Sequence, residues 1–103
     1  MKTIIEGHKY SLDFFEKSDY EQHIQFIQKE PISLGSPELI TVNNGTTNEE
    51  VLSVLINRMY YLQNKFPCRE NAIVITKLEE SLMWLNKRTQ DRLNRNVEGK
   101  QIK

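Results

Sequence analysis

Nothing between Pro67 and Gly99 interrupts a helix, and this stretch, about a third of the chain, sets the terms for the rest. Pro67 suits a first helical position, where a missing N–H is no loss, and Gly99 lies where a stop is expected. At about 100° per residue, Ile75, Leu78, Leu82, Leu85 and Leu93 fall within roughly 80° of one another. They form an apolar stripe that predicts a buried seam. One flank carries Lys77, Ser81, Trp84, Arg88, Arg92 and Arg95, and the other Glu79, Met83, Asn86 and Gln90. Residues 69 to 96 would span about 42 Å as a helix, against a radius of gyration near 13 Å for a compact chain of this size. The helix is therefore expected to protrude. Its off-seam Ile73, Val74 and Trp84 then call for a second subunit to cover them.

One domain fits 103 residues, since chains divide mainly beyond about 250. The expected layout is a β region over 1–45, a helical hairpin over 46–99 and a tail over 100–103. Fourteen basic and fourteen acidic residues cancel, so no long-range field would gather DNA, RNA or an anionic membrane. Any anion site must be local. A single cysteine, Cys68, excludes an internal disulfide, and MKTIIEGHKY lacks the charged-then-apolar pattern of a signal segment. With no apolar run near the roughly 20 residues that cross a bilayer, a cytoplasmic protein is the expectation.

Before the long helix the pattern shifts to short β-branched and aromatic segments. Thr3–Ile5, His8–Phe15, His23–Lys29 and Leu39–Val42 are the strand candidates. Tyr10, Leu12 and Phe14 alternate with Lys9, Ser11 and Asp13, and Ile24 and Phe26 with His23, Gln25 and Ile27, so each segment has a wet and a dry face. Short connections, the second marked by Pro31, Gly35 and Pro37, favour an antiparallel meander. Asn43-Asn44-Gly45 closes the sheet, and Thr47 to Glu50 reads as a capping box that opens a helix reaching Phe66. Leu52, Leu55, Ile56, Met59 and Phe66 form its core stripe, with Tyr61 on a different face. The corner Lys65-Phe66-Pro67-Cys68 makes the two helices an antiparallel hairpin. The predicted class is α+β: a small N-terminal antiparallel sheet followed by a long two-helix hairpin that oligomerises through its helices.

Catalysis has little to work with. His8, His23 and Cys68 sit in three different elements without metal-ligand spacing, and Cys68 has no local histidine to serve as its base. Glu79 and Glu80 point about 100° apart and cannot share one acid/base site. Arg88 and Arg92, spaced i, i+4, could close two forks on a pyrophosphate or form a solvated basic face. Trp84 and Tyr61 could stack on a base or pack within an assembly. Asn71 could read an adenine edge or help cap its helix. Spacing alone leaves each of these undecided.

The run Phe66-Pro67-Cys68-Arg69-Glu70-Asn71-Ala72, with Ile75-Thr76-Lys77-Leu78-Glu79-Glu80, Met83-Trp84-Leu85, Lys87-Arg88-Thr89, Asp91-Arg92 and Val97-Glu98-Gly99, closely resembles the hairpin domain of phage anti-defence sponge proteins. That domain is shared by Thoeris anti-defence sponges and anti-CBASS cyclic-oligonucleotide sponges. The sheet before the hairpin is similar to the Thoeris branch, whereas Arg95-Asn96-Val97-Glu98-Gly99-Lys100-Gln101 departs from the family's usual ending. The resemblance implies a protein without turnover, cofactor or metal. Such a protein binds an immune messenger, a cyclic ADP-ribose isomer closed between two riboses, and keeps it from its effector. Some relatives are hexamers that also hold cyclic di- and trinucleotides. Carried over to this chain, the resemblance implies that Arg88 and Arg92 hold the pyrophosphate, that Asn71 fixes the adenine and that Tyr61 stacks on the ligand. Trp84, Asp91 and Arg95 are secondary candidates. No membrane, DNA or RNA partner is expected, and a dimer or hexamer is. The main alternative is a module for single-stranded nucleic acid using Trp84 and the arginine flank.

Overall fold

The computed structural model describes all residues from Met1 to Lys103. The chain is α+β, with five antiparallel strands in two small sheets followed by a helical hairpin. It divides into two compact units, Met1–Thr47 and Asn48–Lys103.

In the first unit, β1 (Lys2–Ile5), β2 (Lys9–Leu12) and β3 (Gln22–Gln25) form a three-stranded meander. Gly7, at φ +76°, turns β1 into β2, and the His8 amide closes the turn by donating to the Ile5 carbonyl at 2.9 Å. A side chain is disfavoured at that backbone angle. Tyr10 pairs with Ile24 across the β2–β3 ladder, and its ring meets Phe26 edge-on at 6.2 Å. That contact sits on the dry face expected from the alternation. The strand ends at Leu12, however, and Phe14 and Phe15 are exposed.

The segment expected as one strand from His23 to Lys29 is two. β3 stops at Gln25, and β4 (Gln28–Pro31) pairs with β5 (Leu39–Asn43) in a separate ribbon. The break is made by a distant piece of backbone. Thr46 donates its N–H to Gln25 and accepts from Ile27, so Phe26 bridges Thr46 in parallel. Gly45 permits the approach: a Cβ there would lie 2.3 Å from the Gln25 carbonyl oxygen. Alternation within a segment carries no record of such a crossing strand.

In the second unit, α1 (Asn48–Lys65) and α2 (Arg69–Asn94) pack as the hairpin. Glu49 and Glu50 open α1 and Lys65 closes it, each complementing the end charge of the helix. Gln63 holds the corner from both sides, its amide donating to the Cys68 carbonyl and accepting from the Cys68 N–H, both at 3.0 Å. The N-cap of α2 is Cys68, whose sulfur accepts the Asn71 N–H at 3.4 Å. Pro67 thus precedes the cap and is not itself the first helical residue.

Along α2 the covered positions are Asn71, Ile75, Leu78, Leu82, Leu85, Thr89 and Arg92, at alternating spacings of four and three. This is the seam of a two-stranded helical packing. Its apolar centre matches the expected stripe, but its ends are polar. Leu93 is 51% exposed, while Arg92, one residue earlier, is 5% exposed. On α1 the seam runs through Leu52, Ile56, Met59 and Gln63, leaving Leu55 and Phe66 exposed.

The helix also ends before Gly99. Asn96 takes the left-handed conformation at φ 58°, its N–H donates to Leu93, and the Val97 N–H donates to Arg92. These two bonds form a Schellman closure, a role asparagine shares with glycine. No helix of the protein is long and apolar enough to cross a membrane.

Candidate functional site

The last turns of α2 and the residues after it enclose an open cleft of about 300 Å³. Trp84, Lys87, Arg88, Asp91, Arg92, Arg95 and Lys103 line it. The helix repeat explains the grouping, since Trp84, Arg88, Asp91 and Arg95 stand three or four residues apart and share one face. Five cations face one carboxylate, and that carboxylate is engaged, with Asp91 pairing Lys87 at 3.7 Å. Arg88, Arg95 and Lys103 make no ion pair or side-chain hydrogen bond within the chain. Trp84, 61% exposed, provides a bare aromatic wall beside them.

Arg92 stands differently. Its Nη2 donates to the carbonyls of Val97 at 2.8 Å and Lys100 at 2.6 Å, its Nη1 donates to the carbonyl of Ile102, and its Nε lies 3.3 Å from a Glu98 carboxylate oxygen. Three hydrogen bonds and one ion pair thereby tie the guanidinium to the chain's own tail. The physical cause is length. α2 is eight residues longer than α1, an overhang of about 12 Å. A seam residue in that overhang has no partner helix, and the returning tail covers it instead.

The remaining expected residues lie elsewhere. Tyr61 is exposed on α1 near the corner, with the Lys65 ammonium 4.8 Å from its ring centroid, close enough for a cation–π contact. Asn71 is half-buried in the first turn of α2. It contributes its backbone N–H to the cap made by Cys68. Seventeen residues of continuous helix separate Asn71 from Arg88, about 25 Å. The structure thus brings together Trp84, Arg88, Asp91, Arg92 and Arg95, and keeps Tyr61 and Asn71 apart from them. A second shallow concavity, lined by Arg69, Ala72, Ile73, Thr76 and Lys77, lies on the first turns of α2.

Sequence reasoning missed two residues of the cleft. Lys87 was recoverable from its i, i+4 spacing to Asp91. Lys103 was not, because only the folded-back tail brings it there. No group of three or more His, Cys, Asp or Glu side chains is placed to hold a metal ion.

The hairpin that carries these residues is similar to known proteins. Residues 30–90, more than half of the chain, match the family described as Acb2/Tad1, hairpin domain. A protein of Bacillus phage SBSphiJ7, Thoeris anti-defense 1, is 60% identical over 57 residues, covering 54% of this chain. The match spans 40% of that relative's own length. By the extent of the family match, which runs from β4 through the corner into the cation cleft, the chain belongs to the Acb2/Tad1 hairpin-domain family.

Proposed function

We propose that the protein is an anti-defence sponge that binds a cyclic nucleotide immune messenger and withholds it from its effector without cleaving it. The messenger class is a cyclic ADP-ribose isomer, with cyclic di- and trinucleotides as further ligands, and the site of action is the cytoplasm of the infected host. The observation that carries the reading is the cleft itself, where Arg88 and Arg95 stand unpaired beside an exposed Trp84. A guanidinium fork matches two phosphate oxygens, and an aromatic wall takes a base or ribose face. Sequestration asks for no proton transfer or nucleophile. It asks for abundance and slow release, because affinity differences lie mainly in the off-rate.

The separation of Asn71 from Arg88 bears on how such a site is completed. About 25 Å of rigid helix exceeds the length of one adenosine, one pyrophosphate and one ribose. Asn71 and Tyr61 can therefore serve the same ligand as Arg88 only if they come from a second copy whose α2 runs antiparallel. The exposed Ile73 and Val74 in the first turns of α2 supply apolar surface for that pairing. In this arrangement Tyr61 and Asn71 form the base end, Arg88 and Arg95 the phosphate end, and Arg92 belongs to the same anion cleft. The concentration of unpaired cations in one cleft also favours a compact dianion over a single-stranded nucleic acid, which needs a charged track.

The test is calorimetric titration with a cyclic ADP-ribose isomer, then heat release and chromatography of the bound molecule. Tight binding with the same molecule recovered supports storage, and a changed product would show cleavage. Arg88→Ala is expected to weaken binding by about 100-fold, the worth of one or two charge-assisted hydrogen bonds, with helix content unchanged by circular dichroism. Unchanged affinity in Arg88→Ala would remove the cleft from the mechanism.

A further inference from the structure

Of the five strands, β1, β3, β4 and β5 each have one side without a neighbouring strand. Such an edge is a template for another strand unless something blunts it. Three of them are blunted. β1 shifts register in its middle, between Thr3 and Ile5. β3 ends where the Gln25 carbonyl accepts the Thr46 N–H, and β4 presents Lys29, Glu30 and Pro31, the last without a donor. β5 (Leu39–Asn43) has no charge, proline or glycine. Its own register shift falls at Val42, near its end, and leaves Leu39 to Thr41 regular. The ladder also fixes which way this edge points. Ile32 donates its N–H to the Glu38 carbonyl at 3.0 Å, and Glu30 pairs with Ile40 two residues further along. Bonding directions alternate along an antiparallel strand, so Ile40 bonds β4, and the N–H and C=O groups of Leu39 and Thr41 point away from it. Ile40 and Val42 are 52% and 47% exposed. A two-stranded ribbon with so bare a face is marginal by itself, and further strands stabilise it.

We propose that β5 pairs antiparallel with β5 of a second copy of this chain, joining two ribbons into one four-stranded sheet about a two-fold axis at Ile40. In that register Leu39 of each copy exchanges both backbone bonds with Thr41 of the other, and the two Ile40 side chains meet in the closely spaced pair between them. Glu38 falls opposite Val42, so no like charges face each other. An uncharged strand has nothing with which to select a charged foreign segment, whereas its own copy sets every outward-pointing residue against another. The pairing also limits itself. Its outer edges are β4 of each copy, where Pro31 and its charged neighbours stop a further strand from adding. The contact is isologous and uses no residue of the cation cleft. It forms without ligand and stands whether or not the sponge reading holds.

Two arms test this on the full chain without ligand. In the first, amide exchange is followed along β5 from micromolar to millimolar protein. The Ile40 amide is expected to be protected throughout, and those of Leu39 and Thr41 to slow by about tenfold or more as the chain is concentrated, the worth of one hydrogen bond. Thr41→Pro removes an outward N–H and no bond to β4. It is expected to return the Leu39 amide to its dilute rate while Ile40 keeps its protection. Free exchange of Leu39 and Thr41 at every concentration overturns the pairing. In the second arm, Ile40→Cys and Val42→Cys are each oxidised by air in a Cys68→Ser background, where serine keeps the helix cap. Ile40→Cys is expected to form a disulfide-linked dimer, since the closely spaced pair sets its Cα atoms about 4.5 Å apart, within disulfide range. Val42→Cys is expected to stay monomeric on a denaturing gel, its two copies lying four residues apart along the strands, about 13 Å. Equal crosslinking of the two variants overturns the register. Protected Leu39 and Thr41 amides with no disulfide in Ile40→Cys would show that something other than a second β5 covers the edge, and overturn the choice of occupant.

Discussion

The unit from Met1 to Thr47 and the unit from Asn48 to Lys103 keep their shapes by different means. The first has strands of four or five residues, no fully buried side chain, and a long-range backbone crossing at Phe26 and Thr46. The second has two long helices whose backbone bonds are all local, a seam whose most buried apolar residue is Ile75, and polar seam ends closed by loops. A sheet this small depends on the few points where one strand must approach another. A hairpin depends on the continuity of its seam. The cation cleft lies entirely in the second unit. A ligand site needs side chains held at fixed spacing, and a continuous helix provides that without a large core.

The sharpest challenge to this contrast is at the seam. Ile75 is 6% exposed, the most buried apolar residue of the protein. Ile75→Ala is expected to destabilise the hairpin by about 2–4 kcal/mol. The expected readout is a lower thermal midpoint by helical circular dichroism and faster amide exchange along α1 and α2. A loss below about 1 kcal/mol would mean that the seam collapses around smaller residues and that another element carries the hairpin.

A second substitution probes the other unit. In Gly45→Ala, the added Cβ must move away from the Gln25 carbonyl, which it would otherwise meet at 2.3 Å. The expected effect is about 1–3 kcal/mol, seen as faster exchange of the Ile27 and Thr46 amides that form the crossing. Protection of α2 is expected to stay as it was. If those two amides remain protected, the crossing does not depend on the missing side chain.

The smallest expected effect concerns the contact between the two helices. The Tyr60 hydroxyl donates to a Glu79 carboxylate oxygen at 2.9 Å. That hydrogen bond first, then desolvation and the Glu79 charge, raise the Tyr60 pKa above its ordinary value. Because the folded pKa lies above the unfolded one, the contribution is whole below the unfolded value of about 10. It is lost as pH rises through the folded value. The parent chain is therefore expected to lose a small part of its melting temperature as pH rises above about 10 through this group. Tyr60→Phe should melt slightly lower near neutrality and lack that alkaline component. Identical alkaline profiles would show that the bond forms equally in the unfolded chain.

Particular residues show what was legible in advance. The corner at Phe66-Pro67-Cys68, the centre of the seam from Ile75 to Leu85 and the shared face of Trp84, Arg88 and Arg95 all follow from local rules of period and turn chemistry. Gln63, Asn71, Thr89 and Arg92 were harder to place. They occupy seam positions although hydrophobicity would put them outside. A polar residue is tolerated there because something else approaches it: Gln63 meets the corner backbone, and Arg92 meets the tail.

From its sequence alone the protein is determined to be a short β region followed by a helical hairpin with one basic, tryptophan-bearing face, since helix period and turn residues are properties of neighbours along the chain. The division of the third strand candidate at Phe26 and the burial of Arg92 in place of Leu93 were decided only by tertiary structure. Each depends on backbone groups returning from elsewhere, Thr46 in one case and Val97, Lys100 and Ile102 in the other. Hydrogen-bond acceptors on a returning backbone are the same for every residue type, so no side-chain pattern announces where they will arrive.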